Sequence, residues 1–495
     1  MNLNKIKKSS YLILVIFLVI FETFHITKGH WQGDFFEHSA VVNELSKNLL
    51  HPNNPIIKSN TSHAFFSPYS ILVASFSKVT DLNSINSLAY FAYFNLIFFL
   101  YSLYFFSKSI FKKNYGLIAS LILLFTMFLW GESPFVWSGF YHIFALHKVL
   151  AYPSTFAISI TLLTLGLVSK NHKKYFFTII FCSTVVIISH PTTAIILFIS
   201  IFTLVFSHSN YSIKRAVFQS IKLIFPSILL SLAWPYFNIV ELFIGNKSAA
   251  DFHDHSFLMY TDILKKNWPI LLTIPCFIYS KKNAKVVFIT LTIIFLTLVY
   301  ITGYLFNFYG VSRVISGVMF FSHVLIAYTV TSFLAKSNLF KKRYLLFVLS
   351  VFLLSISLNF IELGKVFMGI FKKKDIEYYN KFSFLKSEVT PNDIILSDSK
   401  SNWIIPSYNG KVIASRHPLY WIDDYKERRT DVTSFFSKES SDSLRLITIQ
   451  NYRPDYILIN FSNIEISSST HRWLKSLGET VYEENNLELL KLHQK

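Results

Sequence analysis

Long apolar runs recur along the first three quarters of the chain and then stop. Stretches of roughly 15 to 22 apolar residues are the length that crosses a bilayer as a helix. They predict about eleven transmembrane helices, near Tyr11 to Ile26, Leu88 to Phe106, Leu117 to Trp130, Val149 to Val168, Tyr175 to Ser189, Thr192 to Phe206, Val217 to Tyr236, Trp268 to Tyr279, Val286 to Tyr304, Val314 to Leu334 and Leu345 to Ile361. The eighth is short for a bilayer. Lys5, Lys7 and Lys8 precede the first run, and no small-residue cleavage site follows it. That pattern predicts an uncleaved anchor with its N-terminus in the cytoplasm. From Asp375 the pattern changes to short β-like runs, Ile394 to Leu396, Lys411 to Ala414, Tyr456 to Asn460 and Leu487 to Leu492, interleaved with polar helical stretches such as Asp424 to Phe436. The expected architecture is therefore an α-helical polytopic membrane module over residues 1–374, followed by a small α/β domain over residues 375–495 that is large enough for its own core.

Composition agrees with lipid as the solvent. The chain is 52% hydrophobic and 18% aromatic, with 52 Phe and 27 Tyr, but only 15% charged. A soluble domain carries about a quarter charged residues, so a soluble enzyme is excluded. Cys182 and Cys276 both sit in apolar stretches and offer neither a disulfide framework nor a cysteine metal site. The net charge of +19 would suggest nucleic acid in a soluble protein. Its distribution argues otherwise, because residues 375–495 hold 15 basic and 17 acidic side chains and the whole excess lies upstream.

Alternating the predicted spans across a membrane places Lys108, Lys112 and Lys113; Lys170, Lys173 and Lys174; Lys214 and Arg215; Lys281, Lys282 and Lys285; and Lys336, Lys341, Lys342 and Arg343 on the N-terminal side. The upstream acids, from Glu22, Asp34 and Glu37 to Glu362, fall at or beyond the opposite face. This is the positive-inside pattern of a multi-pass inner (plasma) membrane protein, with its C-terminal domain outside the cytoplasm and no call for nucleic acid.

The first outer loop, residues 28–87, carries the densest chemistry. After Gly33 comes Asp34-Phe-Phe-Glu37-His38, then an amphipathic run in which His38, Val41, Val42, Leu45 and Leu49 recur at helical spacing. Asp34, Glu37 and His38 would project near one another at the helix start. Asp-x-x-Glu is also the spacing of a capping box, in which both side chains satisfy free helix amides. A carboxylate that leaves the membrane directly after the first span sits at the headgroup plane, where lipid phosphates sit too. A second stretch, His63-Ala-Phe-Phe-Ser-Pro68-Tyr69, leads into a short apolar run, Ile71 to Phe76, that reads as a helix lying in the interface. Elsewhere His190 lies in the tight connection between spans five and six. Arg313, at the outer start of the tenth span, is either a phosphate ligand or a snorkelling boundary arginine. Asp251-Phe-His253-Asp-His255 reads as a polar loop without a four-ligand set.

The order of these features resembles the GT-C superfamily of polytopic membrane glycosyltransferases of bacterial type. The resemblance rests on Asp34 just past the first span, two interfacial helices in the first outer loop, a many-span bundle and an outer C-terminal domain. Phe135-Val-Trp-Ser-Gly139-Phe-Tyr141 leading to Tyr152-Pro153-Ser154-Thr155, then His190-Pro191-Thr192-Thr193 and Ala233-Trp234-Pro235-Tyr236, are similar to outer-edge motifs of such proteins. In the outer domain, Pro406-Ser-Tyr408-Asn-Gly410-Lys-Val and His417-Pro418-Leu-Tyr-Trp-Ile-Asp423-Asp424-Tyr-Lys-Glu-Arg428-Arg429 resemble a segment seen after the bundle in such proteins. The first loop lacks a tight Asp-x-Asp pair, so a divalent metal (Mg or Mn) stays open.

The resemblance implies inverting transfer of a sugar from a polyprenyl-phosphate carrier to a glycan, lipid or protein acceptor on the outer face. In that chemistry one carboxylate takes a proton from the acceptor hydroxyl while the anomeric carbon loses a phosphate. Asp34 is the expected base, with Glu37 beside it as a second catalytic carboxylate. His38, His63, Tyr152, His190, Arg313, Arg416 and His417 are the expected substrate-binding groups. A transporter or flippase, and a polymerase or ligase of lipid-linked surface polysaccharide, are the alternatives that share the carrier lipid.

Overall fold

The computed structural model describes residues 3–336 and 375–493, apart from 32, 112–115, 128–145, 243–253, 264–266, 281–282, 418 and 420, with isolated positions from 350 to 368. The residues group into two compact units. One comprises Met1–Gly33, Phe91–Trp234 and His253–Lys373, and the other Asp34–Tyr90, Pro235–Phe252 and Lys374–Lys495.

The first unit is helical. Among the described residues seven helices are long and apolar enough to cross a membrane: Tyr11–Lys28, Ser84–Ile110, Pro153–Asn171, Pro191–His208, Ile213–Leu232, Ala284–Leu305 and Tyr309–Phe333. They correspond to the first, second, fourth, sixth, seventh, ninth and tenth expected spans. Helix Phe176–Ser189 and the apolar segment Trp268–Tyr279 are shorter. The third expected span is described only as helix Gly116–Thr126, and the eleventh lies largely outside the described residues, as do Phe135 to Tyr141. Ile13, Ile20, Phe177, Phe181, Phe225 and Leu305 are exposed large apolar side chains on these helices. An array of that size is stable only where lipid replaces water. Helix contacts use small and hydroxyl residues, as membrane helices do. A Cβ on Gly317 would press on Ile196 and Leu296 at 3.0 Å, and the Thr203 and Thr292 hydroxyls share a 2.6 Å hydrogen bond.

The second unit contains the C-terminal sheet together with the first-loop helices. Helix Phe35–Lys47 buries Phe35, Val41, Val42 and Leu45 and also Glu37, His38 and Glu44. Helix Pro68–Thr80 packs against it. Its entry is sequence-encoded: the Ser67 hydroxyl accepts from the Ser70 amide and Pro68 occupies the first turn, where a missing N–H costs nothing. The sheet holds β1 (Ile394–Ser397), β2 (Lys411–Val412), β3 (Tyr456–Asn460), β4 (Gly478–Glu484) and β5 (Leu487–Leu492), in the order β2-β1-β3-β5-β4. β1 pairs in parallel with β2 and β3, while β3–β5 and β5–β4 are antiparallel. One face is covered by helices Tyr425–Phe435 and Ser468–Lys475 through Leu396, Ile413, Val432, Phe435, Ile457, Ile459, Leu474 and Leu490. β4, with Glu479, Glu483 and Glu484, is an edge strand whose charges discourage pairing with another chain.

The first-loop helix is fastened to the sheet domain by polar bonds. Asn43 Nδ2 donates to the Pro406 and Tyr408 carbonyls, and Val412 N donates to Ile56 O, extending the edge at β2. Gly410 adopts φ +81°, and a Cβ there would strike Ile395 at 2.8 Å, so the turn into β2 requires glycine. At the centre, Lys411 Nζ lies 2.7 Å from Glu44 Oε2 and donates to Asn54 O at 2.6 Å. Burial pulls the Lys411 ammonium below its usual range, and the Glu44 charge counters that pull. Removing one partner of a buried pair costs about 3–5 kcal/mol because the other charge is stranded. Lys411→Met should therefore lower the unfolding temperature in detergent sharply, and Lys411→Met with Glu44→Gln should recover most of the loss. Equal losses in the single and double variants would show that the pair is not what fastens the helix.

Candidate active site

Asp34 occupies the position before the first turn of helix Phe35–Lys47, with φ −83° and ψ 19°, and its side chain makes no capping hydrogen bond. Gly33 precedes it at φ +66°, a conformation that sharpens the entry. The Asp-x-x-Glu spacing thus does not close a capping box. The carboxylates turn instead to histidines distant in sequence. Asp34 Oδ1 lies 3.2 Å from His417 Nδ1, and Glu37 Oε2 lies 3.3 Å from the same nitrogen. Glu37 Oε1 faces His63 Nε2 at 3.5 Å.

The two acids occupy different environments. Glu37 is 3% exposed, whereas Asp34 and His417 are each about 30% exposed. Burial alone would raise the Glu37 carboxyl, but hydrogen bonds from His417 and His63 outweigh it and hold the group down at about 2. His417 moves the other way. Burial opposes its charge, yet the bond to Glu37 and the charges of Asp34 and Glu37 raise it above the usual histidine range. His63 Nδ1 accepts from the Phe65 amide at 3.2 Å, which leaves its proton on Nε2, toward Glu37. His38 is stacked on Phe65 at 4.4 Å and pushed down to about 4, chiefly by burial, so it is a neutral ring of the helix packing.

Two residues frame His417. The Arg416 guanidinium lies 4.3 Å over the Trp403 ring, and Trp403 meets His417 edge-on at 5.1 Å. Trp403 follows β1 and also touches Phe36. Sequence reasoning missed it because a lone tryptophan in a short polar turn carries no pattern. A little further on, Trp421 Nε1 donates to Glu241 Oε2 at 2.6 Å. Trp421 holds φ +63°, a strained conformation for a bulky residue.

Among the described residues, Asp34, Glu37 and His417 are the one group of three or more His, Cys, Asp or Glu whose ligand atoms lie within 4.8 Å of one another. Two carboxylate oxygens and an imidazole nitrogen suit Mg, Mn or Zn. His63 fits less well as a ligand, because the nitrogen facing the cluster is the protonated one. The buried, negatively charged Glu37 and the half-exposed Asp34 give the cluster an anchored side and an open side.

The remaining expected residues belong to the other unit. His190 caps helix Pro191–His208, its Nδ1 accepting from the Thr193 amide at 3.3 Å and lying 2.7 Å from the Thr193 hydroxyl. Tyr152 precedes helix Pro153–Asn171, and its hydroxyl oxygen lies 3.3 Å from where a Cβ on Gly33 would stand. Arg313 is half-buried in the turn Tyr309–Val314, and its Nε is buried without a hydrogen-bond partner. Residues Asp251 to His253 lie outside the described residues.

No family model and no curated protein sequence matches the chain. Solved structures do. The apo oligosaccharyltransferase of Archaeoglobus fulgidus superposes with a TM-score of 0.56 at 9% identity, over 91% of this chain and 70% of that one. ArnT from Cupriavidus metallidurans bound to undecaprenyl phosphate gives a TM-score of 0.54 at 10% identity, over 97% and 98% of the two chains. The Archaeoglobus enzyme in complex with Zn and sulfate gives a TM-score of 0.54 at 10% identity, over 89% and 67%. The chain shares the fold of these membrane proteins.

A cation at the cluster should stabilise the folded state by mass action. After EDTA treatment, Mn²⁺ or Zn²⁺ should raise the unfolding temperature of the wild type and leave His417→Ala unmoved. Asp34→Asn should lose the metal response, and its metal-free unfolding temperature should fall only by what the half-exposed pair with His417 contributes. A wild type indifferent to both ions would reduce the cluster to an ion-paired one.

Proposed function

We propose that this protein is a membrane glycosyltransferase that moves a sugar from a polyprenyl-phosphate carrier to a glycan, lipid or protein acceptor outside the cytoplasm. The observation that carries the reading is the convergence of Asp34, Glu37 and His417 directly after the first membrane-spanning helix of a GT-C fold. Structural neighbours bound to undecaprenyl phosphate and to dolichol-phosphate support a lipid-linked donor.

Asp34, the more exposed acid, takes the proton of the acceptor hydroxyl. The acceptor oxygen forms a bond to the anomeric carbon, the bond from that carbon to the phosphate oxygen breaks, and polyprenyl phosphate leaves with the electron pair. Glu37, buried and charged, favours the protonated form of His417, which lies beside Asp34 as it takes up the proton. Arg416, held flat on Trp403, is the group of this unit available for phosphate oxygens. Arg313, a phosphate ligand by its sequence position, has a donor nitrogen still unused. Asp34, Glu37 and a neutral His417 would be the residues to hold a divalent cation, which would supply positive charge against the leaving phosphate in place of the imidazolium.

Asp34→Asn should lower the release of free polyprenyl phosphate from a radiolabelled lipid-sugar roughly a hundredfold or more while the protein stays folded. Near-normal release would place the base elsewhere. Arg313→Ala should weaken donor use by about 1.5–3 kcal/mol, the cost of one charge-assisted contact, and Arg313→Lys should recover only part, because an ammonium lacks the planar fork. Unchanged donor use in both would return Arg313 to a snorkelling role. For orientation, reporters fused after Lys113 and Lys174 should read cytoplasm and one after Lys495 outside, and a cytoplasmic C-terminus would sink the outer-face chemistry. One observation favours a transporter instead: Glu22 is fully buried within the first span, with neither oxygen hydrogen-bonded. Pronounced lipid-glycan flux in liposomes without any sugar transfer would support that reading.

A further inference from the structure

The C-terminal sheet has a second polar locus. β1 is flanked by β2 on one side and β3 on the other, all three parallel. The chain moves outward from β1 to β2 and then back past β1 to β3. Because parallel crossovers are right-handed, these opposite moves run over opposite faces of the sheet. The space beyond the carboxyl ends of the two strands at such a reversal is the usual ligand position in open α/β sheets. Asp398, Ser401 and Asn402 follow β1 at that edge, and Asn460 and Asn463 close β3.

Most polar groups there are paired. Asp398 Oδ1 accepts from the amides of Lys400 and Ser401 and from Asn463 Nδ2, at 3.0, 3.2 and 3.1 Å. Asn460 Nδ2 donates to the Ser401 hydroxyl at 3.0 Å and to the Tyr378 hydroxyl at 3.4 Å. The Asn402 backbone amide donates to Asp398 O at 2.9 Å. Other polar atoms of these two residues are not paired. Asp398 Oδ2 and both side-chain amide atoms of Asn402 are buried without a hydrogen-bond partner, and Asn402 is only 2% exposed. Buried polar groups are nearly always satisfied, so orphans on two residues four apart in the chain mark a place where other atoms belong.

Their chemistry narrows the occupant. The open positions are a carboxylate oxygen, an amide oxygen and an amide NH₂. A cation would leave the NH₂ unsatisfied and meet only one carboxylate, while an anion would face Asp398. A neutral ligand with neighbouring hydroxyls both donates and accepts. Half-buried Tyr378, whose hydroxyl accepts from Asn460 and Asn463, supplies an aromatic ring there. We propose that the polar locus at the carboxyl ends of β1 and β3, through Asp398 and Asn402, binds adjacent hydroxyls of a carbohydrate and holds a glycan on the C-terminal domain, using no residue of the Asp34–Glu37–His417 cluster.

The test uses the full-length protein in detergent after EDTA treatment, titrated with the methyl glycosides of glucose, galactose, mannose and N-acetylglucosamine. Binding is read by saturation-transfer-difference NMR. At least one glycoside should bind saturably to the wild type, and Asn402→Leu should leave the release of polyprenyl phosphate unchanged, which separates this site from the transfer reaction. Asn402→Leu, similar in volume, should weaken that binding by about tenfold or more, the loss of a hydrogen bond or two. Asp398→Asn keeps a capping oxygen and should weaken it as well, so the outcome does not hang on one variant folding. Binding undiminished in both variants overturns the proposal. So does a wild type that binds none of the four, and an accompanying rise in unfolding temperature for Asn402→Leu would identify the orphan atoms as a water site.

Discussion

Glu37 is a carboxylate sunk below the protein surface, and a lone charge at that depth is too costly to keep. It stays ionised because His417, 380 positions away, and His63 both reach it. That requirement orders the surrounding unit, since helix Phe35–Lys47 must lie where both imidazoles arrive. Glu44 follows Glu37 by two helical turns and so shares its face, where it meets Lys411. One helix face thus carries two buried acids, each answered by a cation or imidazole from outside the helix. Apolar packing by Phe35, Val41 and Leu45 fills the gaps but does not choose the register.

The membrane helices were legible because lipid demands long, uninterrupted apolar runs, and the first-loop helices because their apolar spacing and the Ser67-Pro68 entry are local signals. Four of the five strands announced themselves as short β-branched or leucine-rich runs. β4 did not, because Gly478-Glu-Thr-Val-Tyr-Glu-Glu484 is an exposed edge strand whose polar face protects it from aggregation rather than building a core. In the site, Asp34, Glu37, His63, Arg416 and His417 were named from sequence. What sequence left undecided was what the Asp-x-x-Glu spacing does, since a helix cap and a histidine-bound pair share it. Only the burial of Glu37 and the approach of His417 distinguish them, and both are long-range facts.

The expected substrate-binding list also separates by physical role. His190 uses its Nδ1 to cap a helix, and His38 is a buried neutral ring stacked on Phe65. These are the ordinary duties of histidine in a packed protein. Arg416 lies flat on an indole, an arrangement that keeps a guanidinium planar and oriented without consuming its hydrogen-bond donors.

The bond from the Phe65 amide to His63 Nδ1 has a consequence for proton traffic. A histidine relays protons by accepting on one nitrogen and releasing from the other, and His63 has its second nitrogen permanently occupied by a backbone donor. It is a terminus, not a wire. A proton arriving at Glu37 or Asp34 cannot pass inward through His63, so of the two imidazoles that face the acids, the half-exposed His417 is the one with a route back to water. Charge gathered at the cluster is thereby discharged toward the solvent side rather than into the interior of the unit.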